Sequence, residues 1–221
     1  RVANNGSLSA CCDIDCDLIS SVTAMGNTVS IVTNAPGCNS TRDIALTCTA
    51  GGMGAGFVNT GSVTITNSRQ VTSWCYTSVR DLTIADDNDG NLNIGNLGNG
   101  SATQANATGL GLLNEVTRDL RIQDNDNLAN LNGLGFLNCV GRRLYILRND
   151  NLNDVDGLGR RTATPSTFTV IDFRFNDNDN VTSFQNLDLT IAGANALCNI
   201  QGNEVLTNLG SISLGQDADL T

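Results

Sequence analysis

Three stretches of this chain share one ungapped pattern. Residues 118–134 read RDLRIQDNDNLANLNGL, residues 142–158 read RRLYILRNDNLNDVDGL, and residues 171–187 read IDFRFNDNDNVTSFQNL. Leu120, Ile122, Leu128, Leu131 and Leu134 superpose on Leu144, Ile146, Leu152, Val155 and Leu158, and on Phe173, Phe175, Val181, Phe184 and Leu187. An apolar-x-apolar pair is a short strand with one buried face, and the residue between points to solvent. The Asn-Asp-Asn run turns the chain, because these side chains bond their own backbone and tolerate positive φ. One such unit cannot bury its apolar face alone, so neighbouring units must stack.

Looser copies extend the pattern in both directions. Val63, Ile65, Val71 and Trp74 form one, Leu189, Ile191, Leu197 and Ile200 another, and Ile212, Leu214 and Leu220 a last, incomplete one. Leu82 and Ile84 begin a further unit that the run DDNDGN shifts by two residues; Val29/Ile31 and Ile44/Leu46 read as earlier strands. Strand starts then lie 24, 29 and 16 residues apart, from Leu120 through Leu144 and Phe173 to Leu189. Nine strands at a spacing of about 4.8 Å give a rod roughly 40 Å long. Stacking predicts an amide ladder of Asn127, Asn151 and Asn180, and a column of alternating sign made by Asp124, Arg148 and Asp177. The fold expected is all-β, a parallel β-solenoid over 51–221 behind a disulfide-rich N-terminal cap over 1–50.

Composition agrees with this class. The chain has 12 Arg and neither Lys nor His, with 20 Asp, 2 Glu, 30 Asn and 23 Gly, so most strong helix formers are scarce and turn formers abound. A net charge of −10 argues against nucleic acid as a partner. No apolar run has the length of a membrane span. The first residue is Arg1 rather than Met, which reads as a processed chain whose signal peptide has gone. Cysteines at 11, 12, 16, 38, 48, 75, 139 and 198 make eight candidates for disulfides and point to an oxidising, extracellular setting. Cys11, Cys12, Cys16, Cys38 and Cys48 crowd the cap and Cys75 follows it. Cys139 and Cys198 lie two or more units apart, beyond bridging distance, so one of them is free, pairs with another chain, or exposes an error of register.

The chemistry open to such a chain is narrow. Without His and Lys there is no Ser-His-Asp or Cys-His nucleophile, no Schiff base and no phosphate-loop lysine. Asp124, Asp177 and Arg148 form the one column compatible with a polysaccharide-active enzyme, against the plainer reading of a solvated turn. No cofactor is expected, with a stacked-turn Ca²⁺ site at Asp126, Asp150 and Asp179 as the lesser alternative. The run DDNDGN does not align with an EF-hand loop, and an ice-binding surface is spoiled by Arg121, Tyr145 and Arg174 among the outward positions, with Thr64, Thr83, Thr190 and Ser213.

N-glycosylation sequons stand at Asn5, Asn39, Asn99, Asn106 and Asn180, about as many as chance gives in so Asn-rich a chain. Asn99 and Asn106 lie in the Gly/Asn/Ser/Thr loop 95–111, where a glycan is tolerated. The segment RTATPSTFT at 161–169 reads as ordinary loop, with O-linked sugar as the lesser alternative. Ile212, Leu214 and Leu220 leave an unpaired strand edge, which favours pairing with another chain unless the chain is itself a fragment.

The pattern over RDLRIQDNDNLANLNGLGFLNCVGRRLYILRNDNLNDVDGLG resembles receptor L-domain repeats, the leucine-rich solenoids of growth-factor-receptor ectodomains and fungal wall proteins. The resemblance is close over 118–158, loose over 62–221 and absent over 1–60. It implies a right-handed solenoid, an extracellular or cell-surface setting, and binding or structure rather than catalysis. The function expected is therefore a secreted, glycosylated structural subunit joining head to tail into a filament. The alternatives are a ligand-binding ectodomain that recognises protein or carbohydrate, and a polysaccharide-active enzyme.

Overall fold

The computed structural model describes residues 2–3, 31–32, 57–72, 74, 76–87, 94–99, 108–158, 168–185, 187–215 and 218–220. It is mostly β, its sheets are almost entirely parallel, and helix is confined to short pieces. Strand β1 (Val2–Ala3) pairs in parallel with β2 (Ile31–Val32), which shares Ile31 with the expected Val29/Ile31 strand; the rest of the expected cap, with Val29 and Ile44/Leu46, lies outside the described residues. Strand β3 (Phe57–Ile65), the short helix α1 (Ser68–Thr72) and β4 (Tyr76–Ile84) follow. An antiparallel contact of β5 (Gly98–Asn99) with β6 (Thr108–Gly109) closes the base of the sequon loop.

From there each repeat contributes two strands in succession. These are β7 (Glu115–Val116) and β8 (Asp119–Gln123), β9 (Cys139–Val140) and β10 (Arg143–Leu147), β11 (Phe168–Val170) and β12 (Asp172–Asn176), β13 (Asp188–Ile191) and β14 (Ala196–Gln201), and β15 (Ser211–Leu214) and β16 (Ala218–Leu220). The second strands and β4 pair in the order β16-β14-β12-β10-β8-β4, with β3, β7 and β9 also joined to β4 or its neighbour. First strands β11, β13 and β15 form a separate parallel sheet. Isolated parallel bridges, Asn130 with Asp154 and Ser183 with Asn208, connect the return segments of successive repeats.

The pairing confirms the central register and corrects its continuation. Leu120, Leu144 and Phe173 are successive partners, as are Ile122, Ile146 and Phe175. The next partner of Phe173 is Cys198, and that of Phe175 is Ile200. Leu189 and Ile191 instead pair with Phe168 and Val170 on one side and with Ile212 and Leu214 on the other. The 16-residue spacing was therefore an artefact of joining two sheets: both present an apolar-x-apolar pair, and periodicity alone cannot separate them. True spacings from Leu120 through Leu144, Phe173 and Cys198 to Leu220 are 24, 29, 25 and 22 residues.

The core follows from this register. Every apolar position of the three close repeats is buried, and Ile65, Val71 and Trp74 of the first loose copy join the same cluster with Leu82 and Ile84. Phe173, Phe175 and Phe184 meet in one aromatic group, the Phe175 and Phe184 rings lying edge to face with centroids 4.6 Å apart. Removing such a ring costs about 3–5 kcal/mol, so these three carry a large share of local stability.

A second set of buried residues is polar. Asn125, Asn149 and Asn178 have no exposed surface, and each is held from both sides. The Asn149 Nδ2 donates to the carbonyl of Ile122 one strand earlier, to its own Leu147 carbonyl and to Asn178 Oδ1. Its Oδ1 accepts from the backbone N–H and Nδ2 of Asn125. Asn125, Asn178 and Asn203 repeat the scheme on the carbonyls of Ile84, Ile146 and Phe175. Before each of them stands a residue at positive φ: Asp124, Arg148, Asp177 and Gly202. At Gly202 a Cβ would stand 2.1 Å from Asp177 Oδ1, which explains why this one repeat uses glycine.

Truncating Asn149 leaves several buried donors and acceptors without partners, each costing about 1–3 kcal/mol. Asn149→Ala is expected to lower unfolding free energy in urea by about 3 kcal/mol or more. Asn153→Ala, at an exposed position in the same repeat, should stay within about 0.5 kcal/mol of the parent.

Candidate functional site

Two surfaces bring charged side chains together. The first is the turn column expected from the sequence. Asp124, Arg148 and Asp177 all adopt left-handed backbone, with φ of 57°, 52° and 56°. Arg148 Nε and Nη2 reach the two Asp124 oxygens at 2.6 and 3.0 Å, a bidentate pair linking consecutive repeats. The hydrogen bonds from Arg148 hold the Asp124 carboxyl below the usual carboxylate range. Asp177 acts on the same guanidinium from the other side through its charge. Glycoside cleavage needs two carboxyl groups facing a substrate. Here both oxygens of Asp124 are held by an arginine instead.

Asp126, Asp150 and Asp179 are exposed, and among the described residues no three acidic or thiol side chains converge to hold a metal ion. Their column is organised by amides: Asn151 Nδ2 donates to the Asp126 carbonyl, and Asn180 Nδ2 to the Asp150 carbonyl. Asn151 and Asn180 thus form an exposed companion to the buried ladder, with Asn127 exposed at the equivalent position of the repeat before them. The ladder with the larger energetic role, two residues earlier in each turn, was missed.

The second surface is the outward face of the sheet made by β4, β8, β10 and β12. At its corner Arg80, Arg118 and Arg142 succeed one another, each backbone N–H bonded to the previous arginine's carbonyl. Next along the strands come Asp119, Arg143 and Asp172, register partners, with Asp81 one strand earlier. Two residues further lie Thr83, Arg121, Tyr145 and Arg174. Arg142 grips both oxygens of Asp119 at 2.8 Å, and Arg174 both oxygens of Asp172 at 3.1 and 3.2 Å. Arg143 lies between them, 3.5 Å from Asp119 and 3.8 Å from Asp172. Arg80 holds Asp81 at 2.9 Å, with Arg118 3.8 Å from the other oxygen.

Tyr145 sits at the centre. The guanidinium carbons of Arg121 and Arg174 lie 5.3 and 4.8 Å from its ring centroid, and its hydroxyl donates to Asp172. Burial, then the Asp172 carboxylate, pushes its phenol up from the ordinary value. Tyr145 was expected to point into solvent; it does face outward, yet the flanking arginines bury it. Thr190 and Ser213, assigned to the same row, belong to the β11-β13-β15 sheet, and Asn199 takes the place beside Arg174.

The remaining expected sites divide by position. Asn180 is exposed and Asn99 lies in β5, while Asn5, Asn39 and Asn106 are outside the described residues. So are Cys11, Cys12, Cys16, Cys38, Cys48 and Cys75 and most of the 161–169 segment. Cys139 and Cys198 are both free thiols, exposed and buried respectively. Of the expected edge, Ile212 packs against the core, Leu214 is exposed, and Leu220 pairs through its backbone with Cys198.

No family model, curated protein or solved structure matches this chain.

Because the folded Asp124 carboxyl titrates below its unfolded value, its pair contributes stability above the unfolded pKa and loses it as pH falls through the folded one. Arg148→Gln should therefore cost up to about 1 kcal/mol at pH 7, an exposed-pair value, and progressively less below pH 4 in urea titrations. Thiol labelling gives a second expectation. Cys139 should react in the native protein, whereas Cys198, buried and with its thiol pushed up by burial, should react only on unfolding.

Proposed function

We propose that this chain is a non-enzymatic structural protein of the cell exterior, a right-handed parallel β-solenoid that joins head to tail into a filament. Strands that follow one another in register from repeat to repeat support the solenoid, and parallel crossovers are right-handed in nearly all folds. Five cysteines crowded between residues 11 and 48, and two sequons placed in the polar loop 95–111, support a secreted glycoprotein.

The observation that supports the assembly is a set of exposed apolar residues on and beside β15. Val205, Leu209 and Leu214 are 42%, 50% and 44% exposed, beside the edge strands β15 and β16. Leu214 pairs with the fully buried Ile191, and Leu209 holds the place that Phe184 occupies in the buried core one repeat earlier. Val205 stands where the earlier repeats carry the exposed Asn127, Asn151 and Asn180, so apolar surface has replaced polar at this layer alone. Among the described residues β3 pairs only with β4, at the opposite side of the sheet, and its Val58 is 55% exposed. A second copy whose β3 edge covers the β15–β16 layer makes a heterologous contact, which repeats without closing.

Light scattering and negative-stain microscopy across a dilution series test this. Rods should lengthen with concentration, and both Leu214→Asp and Val58→Asp should hold the protein as single units. Mixing the two variants should give dimers and nothing longer, since one intact head meets one intact tail. A parent chain that stays monomeric at every concentration overturns the proposal, as does a mixture that remains monomeric.

A further inference from the structure

We infer that the outward face of the β4–β8–β10–β12 sheet binds a linear anionic polysaccharide bearing carboxylate or sulfate groups. The argument begins from charge. Six of the 12 arginines in a chain of net charge −10, namely Arg80, Arg118, Arg121, Arg142, Arg143 and Arg174, gather on this one face and its corner. Among the described residues only three carboxylates, Asp81, Asp119 and Asp172, stand among them, leaving a local surplus of three positive charges on an acidic molecule.

The two signs also lie at different depths. The carboxylate side chains are 11–20% exposed, whereas the side chains of Arg80, Arg118, Arg142, Arg143 and Arg174 are 35–46% exposed. A bidentate pair uses one edge of a guanidinium and leaves its remaining N–H groups outward. The aspartates thus hold the arginines in fixed poses, and an approaching anion meets donors whose ordering is already complete. Among the described residues Arg121 has no carboxylate partner; it lies over the Tyr145 ring with its charge uncompensated.

The polymer follows from the spacing. At the corner Arg80, Arg118 and Arg142 recur from strand to strand, about 4.8 Å apart, close to the rise of one sugar ring in an extended glycan, and Arg121 and Arg174 recur on alternate strands. Nucleic acid fits less well: its denser line of phosphates would meet the repulsion of the whole molecule for the sake of three surplus charges. The inference is independent of filament formation and gives the ligand-binding alternative a definite face and ligand class.

The test uses the Leu214→Asp chain, so that assembly adds no avidity. Columns carrying a sulfated glycan, a polyuronate, an uncharged glycan of the same length, and duplex DNA are eluted with salt. Retention on the sulfated or uronate column, with none on the uncharged or DNA column, supports the inference, and the stronger of the two names the anion. Arg121→Gln and Arg118→Gln should each weaken affinity about tenfold, the value of a charged hydrogen bond. Arg148→Gln, which lies on the turn column, should leave it unchanged. Circular dichroism confirms that each variant is folded. Absence of retention on both anionic columns overturns the inference, as does equal retention on DNA, or an Arg148→Gln loss as large as that of Arg121→Gln.

Discussion

A turn buried in the stack is possible only if its polar groups are satisfied by the repeats on either side. The side chain that meets this requirement must accept a backbone N–H from one neighbour and donate to a strand-end carbonyl of the same neighbour. Asparagine does both; aspartate lacks the donor and leucine lacks both groups. Asn125, Asn149, Asn178 and Asn203 therefore fix where each strand ends relative to the next. With the strand ends fixed, Ile122, Ile146 and Phe175 come into line within the core, and Arg121, Tyr145 and Arg174 outside it. Where the ladder meets β4 the rule relaxes. Asp86 gives its N–H to Asn125, while its carboxylate turns to the Ile94 N–H instead.

The apolar half of this plan was legible in the chain, because burial of a strand face leaves a period of two that few other structures imitate. The polar half was not. Asn125 and Asn127 occur in the same DNDN run, and nothing in local pattern says which one turns inward. Comparison with QGNEV at 201–205 holds the answer, since Asn203 persists there while the other place becomes Val205. The second miss, Leu189 and Ile191 placed in the wrong sheet, has a similar cause: two sheets facing one core impose the same alternation. Tyr145 shows a third limit. Its direction was readable, but its burial depends on Arg121 and Arg174, residues that arrive from neighbouring strands.

The exclusive use of arginine as cation also becomes intelligible. Arg142 to Asp119 and Arg148 to Asp124 each join one repeat to the previous one through a planar fork, which spans adjacent strands with two parallel hydrogen bonds. A lysine would place a single mobile charge there. Exposed pairs of this kind are worth at most about 1 kcal/mol each, far below the contribution of the aromatic group around Phe184. Their effect is on geometry, holding long side chains in one pose across a surface that is otherwise free to reorganise.

Every ladder amide touches only its own repeat and its immediate neighbours. The natural unit of evolutionary change in such a chain is then a whole repeat of roughly 22–29 residues, whose duplication adds a layer without demanding any new kind of contact. A single inserted residue between a strand and its asparagine would shift one rung against all the others. Return segments escape this constraint, which is why the 29-residue unit, carrying the 161–169 segment, sits between ordinary neighbours without disturbing their register.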